Sequence, residues 1–140
     1  MKAITQVYNI KAPIEAVSQA LTNPDIIAKW SRELAFMDDN PGTHFELWHG
    51  NIHGTNKEIE NPPTGTKKLV QEWYGGDWPE ASLVTFTLTP VGQETRIDLF
   101  HENIPDNEAD DIADGWQRYY LGQIKSFLEV KPRWANLPQD

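Results

Sequence analysis

Hydrophobic and polar residues alternate with a period of two along two parts of the chain, residues 3–10 and 34–102. This alternation is typical of half-buried β-strands. In the second part, turn-forming residues interrupt it at 49–51, 61–65, 75–77 and 90–93. Consecutive strands joined by short turns predict an antiparallel meander that buries one face of the sheet.

Helical spacing replaces this alternation in three other segments. Pro13 stands where a first helical turn begins, and apolar residues follow at helical spacing up to Leu21. Asn23-Pro24 predicts the end of this helix, because a residue before proline is disfavoured in the α region. Residues 25–30 predict a second short helix. A long C-terminal helix is predicted after Asn107, its expected N-cap.

Composition narrows the class of protein. The chain has 140 residues, which predicts one domain spanning 1–140. A formal net charge of −9 argues against nucleic acid and anionic membranes as partners. Cysteine is absent, which excludes disulfides and thiolate chemistry. Without a secretory signal or a long apolar stretch at the sequence level, we expect a cytoplasmic protein that does not enter a membrane.

Five segments together resemble the family of the activator of the heat-shock protein 90 ATPase, within the START-like (SRPBCC, helix-grip) superfamily. They cover nearly the whole chain in the family's order. The segments are APIEAVSQALTNPDIIAKW at 12–30, FELWHGNIHG at 45–54, LVQEWYGGDWPEASLVTFTLTP at 69–90, ETRIDLFHENIP at 94–105 and GWQRYYLGQIKSFLE at 115–129.

The resemblance implies an α+β helix-grip fold, in which a curved antiparallel sheet wraps around a long C-terminal helix and two short helices follow the first strand. It also implies a hydrophobic ligand cavity between sheet and helix. For the co-chaperone branch it implies docking on heat-shock protein 90 and a link to stress responses. The two-domain activator carries a further N-terminal domain, and 140 residues hold only one such domain.

Two glycines of the final helix bear on the cavity. Gly115 and Gly122 are seven residues apart and so share a helix face, although each costs about 1 kcal/mol relative to alanine. Close packing against a strand and space for a ligand both explain them. The residues expected to line a cavity are Phe45, Leu47, Trp73, Phe86, Leu99, His101, Gly115, Tyr119 and Gly122.

The histidines offer little catalytic or metal chemistry. His44 and His49 are five residues apart and point to opposite faces of a regular strand, so we expect no metal site and no cofactor. His101 shares the parity of the buried Ile97 and Leu99. It is expected to be a buried, neutral, hydrogen-bonded imidazole, with a ligand anchor or a proton-transfer group as alternatives.

The leading hypothesis is therefore a non-enzymatic binding module for a small apolar or amphipathic ligand. A stand-alone co-chaperone domain that binds heat-shock protein 90 and stimulates its ATPase is the first alternative. A cavity enzyme of cyclase or hydrolase type, with His101 as its acid or base, is the second. Expected partner-binding residues are Trp78, placed at an exposed hairpin tip, and the acidic residues Asp110, Asp111 and Asp114.

Overall fold

Seven strands and four helices make up residues 1–130, the part of the chain that the computed structural model describes. The strands are β1 (Lys2–Ile10), β2 (Ala35–Phe36), β3 (His44–Leu47), β4 (Ile52–Glu60), β5 (Lys67–Gly75), β6 (Ser82–Val91) and β7 (Glu94–Ile104). The helices are α1 (Ile14–Thr22), α2 (Pro24–Ser31), α3 (Ala109–Gly115) and α4 (Leu121–Glu129), with a π-helical turn at Trp116–Tyr120 between α3 and α4.

All seven strands belong to one curved antiparallel sheet in the order β1-β7-β6-β5-β4-β3-β2. Consecutive strands from β2 to β7 are neighbours, and β1 pairs with β7. This is the predicted meander, and the α+β helix-grip architecture is confirmed. No helix within residues 1–130 is long and apolar enough to cross a membrane.

One face of the sheet forms the core with the helices. Burial alternates along β6 and β7, as the period of two predicts. Helices α1, α2 and α4 pack against this face. The large core side chains include Phe45, Phe86, Leu99 and Ile97 from the sheet and Leu21, Ile27, Leu121 and Ile124 from the helices.

The junction of α1 and α2 follows directly from the sequence. Asn23 ends α1, and its side chain accepts a hydrogen bond of 3.0 Å from the Asp25 N–H, which caps α2. Pro24 occupies the first turn of α2, where its missing N–H costs nothing. The Trp30 indole donates to the Ala20 carbonyl at 2.9 Å and ties the two helices together.

The start of the C-terminal helical segment differs from the prediction. Asn107 is not its N-cap, because the Glu108 N–H bonds to the Pro105 carbonyl at 2.9 Å and closes a turn first. Helix α3 then begins at Ala109, and Glu108 makes no side-chain cap. The segment is also not one regular helix, since the π-helical turn separates α3 from α4.

Candidate ligand cavity

The π-helical turn places aromatic side chains on both sides of the C-terminal segment. Tyr120 leaves the helical region of backbone space, with φ −118° and ψ −92°. Trp116 and Tyr120 both face the sheet and are 2% and 3% exposed, with ring centroids 4.6 Å apart. Tyr119, by contrast, is 61% exposed. Single π-helical turns inside α-helices are frequently found at functional sites.

A second group of aromatic side chains meets these rings from the sheet. Trp73 of β5 stacks on Trp116 with centroids 5.6 Å apart. Trp48 makes an edge contact with Tyr120 at 5.6 Å. Trp48 reaches the helix because it begins the β3–β4 turn in a left-handed conformation, with φ 49°. The rings form a continuous aromatic wall between this turn and the helical segment.

A cavity of about 340 Å³ lies against this wall, near the lower end of the 300–1,000 Å³ range of small-molecule pockets. From the sheet side it is lined by Trp48, Asn51, Ile52 and Trp73. From the helical side it is lined by Asp111, Ile112, Gly115, Trp116, Tyr119 and Tyr120. Asn51, Asp111 and Tyr119 are exposed, so its mouth faces solvent.

A buried chain of hydrogen bonds holds the aromatic wall from behind. The Trp116 indole can only donate, and it donates to His101 Nδ1 at 3.0 Å. The proton of His101 therefore lies on Nε2, which donates to Ser82 Oγ at 2.8 Å. Ser82 in turn donates to the Trp73 carbonyl at 2.6 Å. The two stacked tryptophans are thus joined through His101 and Ser82.

Burial keeps the two titratable groups of this region neutral. It lowers the pKa of His101 to about 3 and raises the pKa of Tyr120 well above its ordinary value. His101 is the buried, neutral, hydrogen-bonded imidazole that the strand parity predicts. Because both of its ring nitrogens are engaged, His101 has no position left for a substrate proton without breaking this chain.

Two buried polar atoms at the cavity wall lack partners. Within residues 1–130, neither Trp73 Nε1 nor the Tyr120 hydroxyl makes a hydrogen bond. A buried polar group without a partner costs about 1–3 kcal/mol. Both side chains belong to the cavity lining, although these two polar atoms are themselves buried.

The residues predicted to line a cavity fall into two groups. Trp73, Gly115 and Tyr119 do line it. The others lie outside its lining: His101 is in the hydrogen-bonded chain, and four apolar side chains are fully buried in the core. These four are Phe45, Leu47, Phe86 and Leu99. Phe86 lies behind the wall, with an edge contact to Trp116 at 5.6 Å.

The two helix glycines occupy different environments. A Cβ atom added at Gly115 would have no heavy atom within 4 Å, since this position faces the cavity. A Cβ atom added at Gly122 would lie 1.7 Å from the Gln117 carbonyl oxygen. Gly122 is therefore explained by close packing on the backbone of the π-helical turn, and Gly115 by open space.

Several lining residues could not be assigned from the sequence. Trp48 alternates to the outward face of a regular strand, and its left-handed backbone turns it towards the helix instead. Trp116 and Tyr120 fit a packing role in a regular helix, and the π-helical turn brings both to the cavity. The Trp-His-Gly-Asn sequence after β3 is the one sequence signal that could have indicated the orientation of Trp48, since Gly50-Asn51 is typical of a tight turn.

Of the predicted partner-binding residues, only Asp111 lines the cavity. Asp110, Asp111 and Asp114 are exposed, and Asp114 forms a helix-surface ion pair with Arg118 at 3.1 Å. Trp78 lies in the β5–β6 connection as predicted, but it is not fully exposed there. Its ring folds back over Gly75, and its indole donates to Glu108 at 3.1 Å, so it is only partly exposed.

The sheet, the short helix pair and the C-terminal segment define an α+β helix-grip domain. The chain belongs to the family described as "Activator of Hsp90 ATPase homolog 1-like protein", whose model matches residues 11–129. It is 27% identical over 113 residues to "Activator of 90 kDa heat shock protein ATPase homolog 1" of Homo sapiens, covering 79% of this chain and 32% of that protein. It is 29% identical over 125 residues to an uncharacterized protein of Schizosaccharomyces pombe, covering 88% of this chain and 36% of that one.

Solved structures agree with this assignment. An HSP90 activator from Plasmodium falciparum superposes with a TM-score of 0.82 at 28% identity, covering 91% of this chain and 96% of that one. CalU16 from Micromonospora echinospora superposes with a TM-score of 0.75 at 24% identity, covering 96% and 80%, and shows the fold alone. The chain spans about a third of the length of the curated relatives it matches.

Proposed function

We propose that this protein is a binding domain whose cavity takes a small apolar or amphipathic molecule. The observation that carries the proposal is the cavity of about 340 Å³ between the β3–β4 turn and the C-terminal segment. Protein interiors are normally packed to crystal density, and voids larger than a water molecule are few. A solvent-connected space of this size, lined by five aromatic side chains, fits a ligand site better than a packing defect.

The walls also suit such a ligand energetically. Apolar surface removed from water contributes about 25 cal/mol per Å². The tryptophans present large, rigid faces, and Trp73 and Trp116 are held in place by the His101–Ser82 chain. Because these side chains are already fixed in the free protein, less conformational entropy is lost when a ligand binds. The protein's role would then be to bind and shield the molecule.

The test uses a neutral probe, 4-phenyl-1-butanol, added to ¹⁵N-labelled protein while the tryptophan indole N–H signals are recorded by NMR. We expect the signals of Trp48, Trp73 and Trp116 to shift in a saturable manner. The variant Gly115→Leu places a side chain in the cavity and is expected to abolish these shifts. Gly115→Ala is the matched control and should retain them. Shifts confined to surface residues would contradict the proposal.

A second candidate function is a co-chaperone domain that binds heat-shock protein 90 and stimulates its ATPase. It is supported by the curated relatives that are named as activators of the 90 kDa heat shock protein ATPase, and by exposed residues of the C-terminal segment such as Asp110 and Tyr119. Binding of the 90-kDa chaperone from the same organism would be measured by calorimetry, together with its ATPase rate. No binding at tens of micromolar would exclude this candidate.

A further inference from the structure

We propose that the cavity selects apolar cations, that is, amines or quaternary ammonium compounds with a hydrophobic body. This inference rests on the proposed binding function and adds the charge of the ligand. Two independent features carry it: the faces of the aromatic wall and the charges around the mouth.

Aromatic residues make up half of the cavity lining: Trp48, Trp73, Trp116, Tyr119 and Tyr120 among ten lining residues. Trp73 and Trp116 stack with an interplanar angle of 28°, and Tyr120 adjoins Trp116 at 4.6 Å. Tryptophan and tyrosine faces carry negative electrostatic potential and attract cations within about 6 Å. A group of such rings around a small cavity is the arrangement that recognises ammonium groups.

The charge at the cavity lining is negative. Asp111 contributes a carboxylate, and no lysine, arginine or histidine is among the described residues that line the cavity. The nearby cation Arg118 is engaged with Asp114 at 3.1 Å. Within residues 1–130, Asp111 forms no ion pair. A carboxylate or phosphate ligand would therefore be repelled by the like charge of Asp111 and would find no basic partner.

The helix dipole does not reverse this balance. Asp111 lies in the first turn of α3, where the backbone carries about half a positive charge. The full negative charge of Asp111 exceeds it, and the chain as a whole has a formal net charge of −9. A cation is thus favoured at short range by the carboxylate and the rings, and at long range by the whole protein.

Three probes that share one phenylbutyl body test the charge: 4-phenylbutyltrimethylammonium, 4-phenyl-1-butanol and 5-phenylvalerate. Dissociation constants are measured with the full chain from indole NMR shifts. We expect the cation to bind about tenfold more tightly than the alcohol, and the carboxylate to bind most weakly.

Asp111→Asn and Asp110→Asn form a matched pair of variants, because both remove one carboxylate from the first turn of α3 and only Asp111 lines the cavity. Asp111→Asn should weaken binding of the cation about threefold more than binding of the alcohol. Asp110→Asn should change both by less than twofold.

The possible results distinguish a failure of the charge selection from a failure of the proposed binding function. If the alcohol binds as tightly as the cation, or if Asp111→Asn affects both probes equally, the charge selection is wrong and the cavity remains a binding site. If no probe shifts any cavity indole at millimolar concentration, the proposed binding function and this inference both fail.

Discussion

Replacing each helix glycine by alanine should change stability in opposite directions. Gly115 has φ −62° and ψ −39°, which any residue adopts in a helix, and an added methyl group would meet no atom within 4 Å. Gly122→Ala would place its methyl carbon 1.7 Å from the Gln117 carbonyl oxygen and 2.9 Å from the carbonyl carbon. The two variants carry the same chemical change within the same helical segment.

The expected magnitudes follow from these distances. Gly115→Ala reduces the freedom of the unfolded chain and improves helix propensity, which should raise the free energy of unfolding by about 0.4–1 kcal/mol. Gly122→Ala gains the same propensity, but a real Cβ cannot lie so close to a backbone oxygen. The π-helical turn must shift, and we expect a net loss of about 2 kcal/mol or more.

Urea denaturation followed by tryptophan fluorescence measures both changes, and thermal unfolding provides a check. For a chain of this length, 1 kcal/mol corresponds to about 3–5 °C in Tm. Gly115→Ala should melt higher than the parent protein and Gly122→Ala lower. If Gly122→Ala is as stable as the parent, the π-helical turn as described is wrong. If Gly115→Ala is destabilised, the cavity at that position is not open.

Three further changes test other parts of the account. Burial lowers the pKa of His101 from its ordinary value of 6.5 to about 3, so between these pH values only the unfolded chain binds this proton. The free energy of unfolding should therefore fall by roughly 2 kcal/mol from pH 7 to pH 5, and urea titrations of His101→Gln should show a flatter profile there. Tyr120→Phe removes a hydroxyl that has no hydrogen-bond partner within residues 1–130, so the free energy of unfolding should stay constant or rise by up to about 1 kcal/mol. A clear loss of stability would show that this hydroxyl does form a hydrogen bond in the folded protein. Lys67 is 4% exposed, and its amine donates hydrogen bonds to Asn61 and Pro62 and forms an ion pair with Glu15 at 3.0 Å. Lys67→Met should lower the free energy of unfolding by about 1–3 kcal/mol, measured by urea denaturation.

The strands and the short helices could be predicted from local pattern, because each depends on neighbours in sequence. The parity of β7 predicted the burial of His101, and Asn23-Pro24 predicted the break between the first two helices. These features follow from a period of two and from the geometry of proline.

The cavity could not be predicted in the same way, because it depends on two departures from regular backbone. The π-helical turn adds a residue per turn to the helix, so a regular helical period does not tell which of Tyr119 and Tyr120 faces inward. The left-handed turn at Trp48 moves that ring from the expected outward face to the helix. Both departures depend on tertiary packing that local propensity does not encode.

The most direct test of the binding cavity is an isotope-filtered NMR experiment that detects nuclear Overhauser effects between protein protons and bound 4-phenyl-1-butanol. We expect contacts from the phenyl ring to the side chains of Trp73, Trp116 and Ile112, which line the space between sheet and helix. Contacts only to exposed apolar residues such as Leu34 and Phe36, which are 76% and 68% exposed, would contradict it.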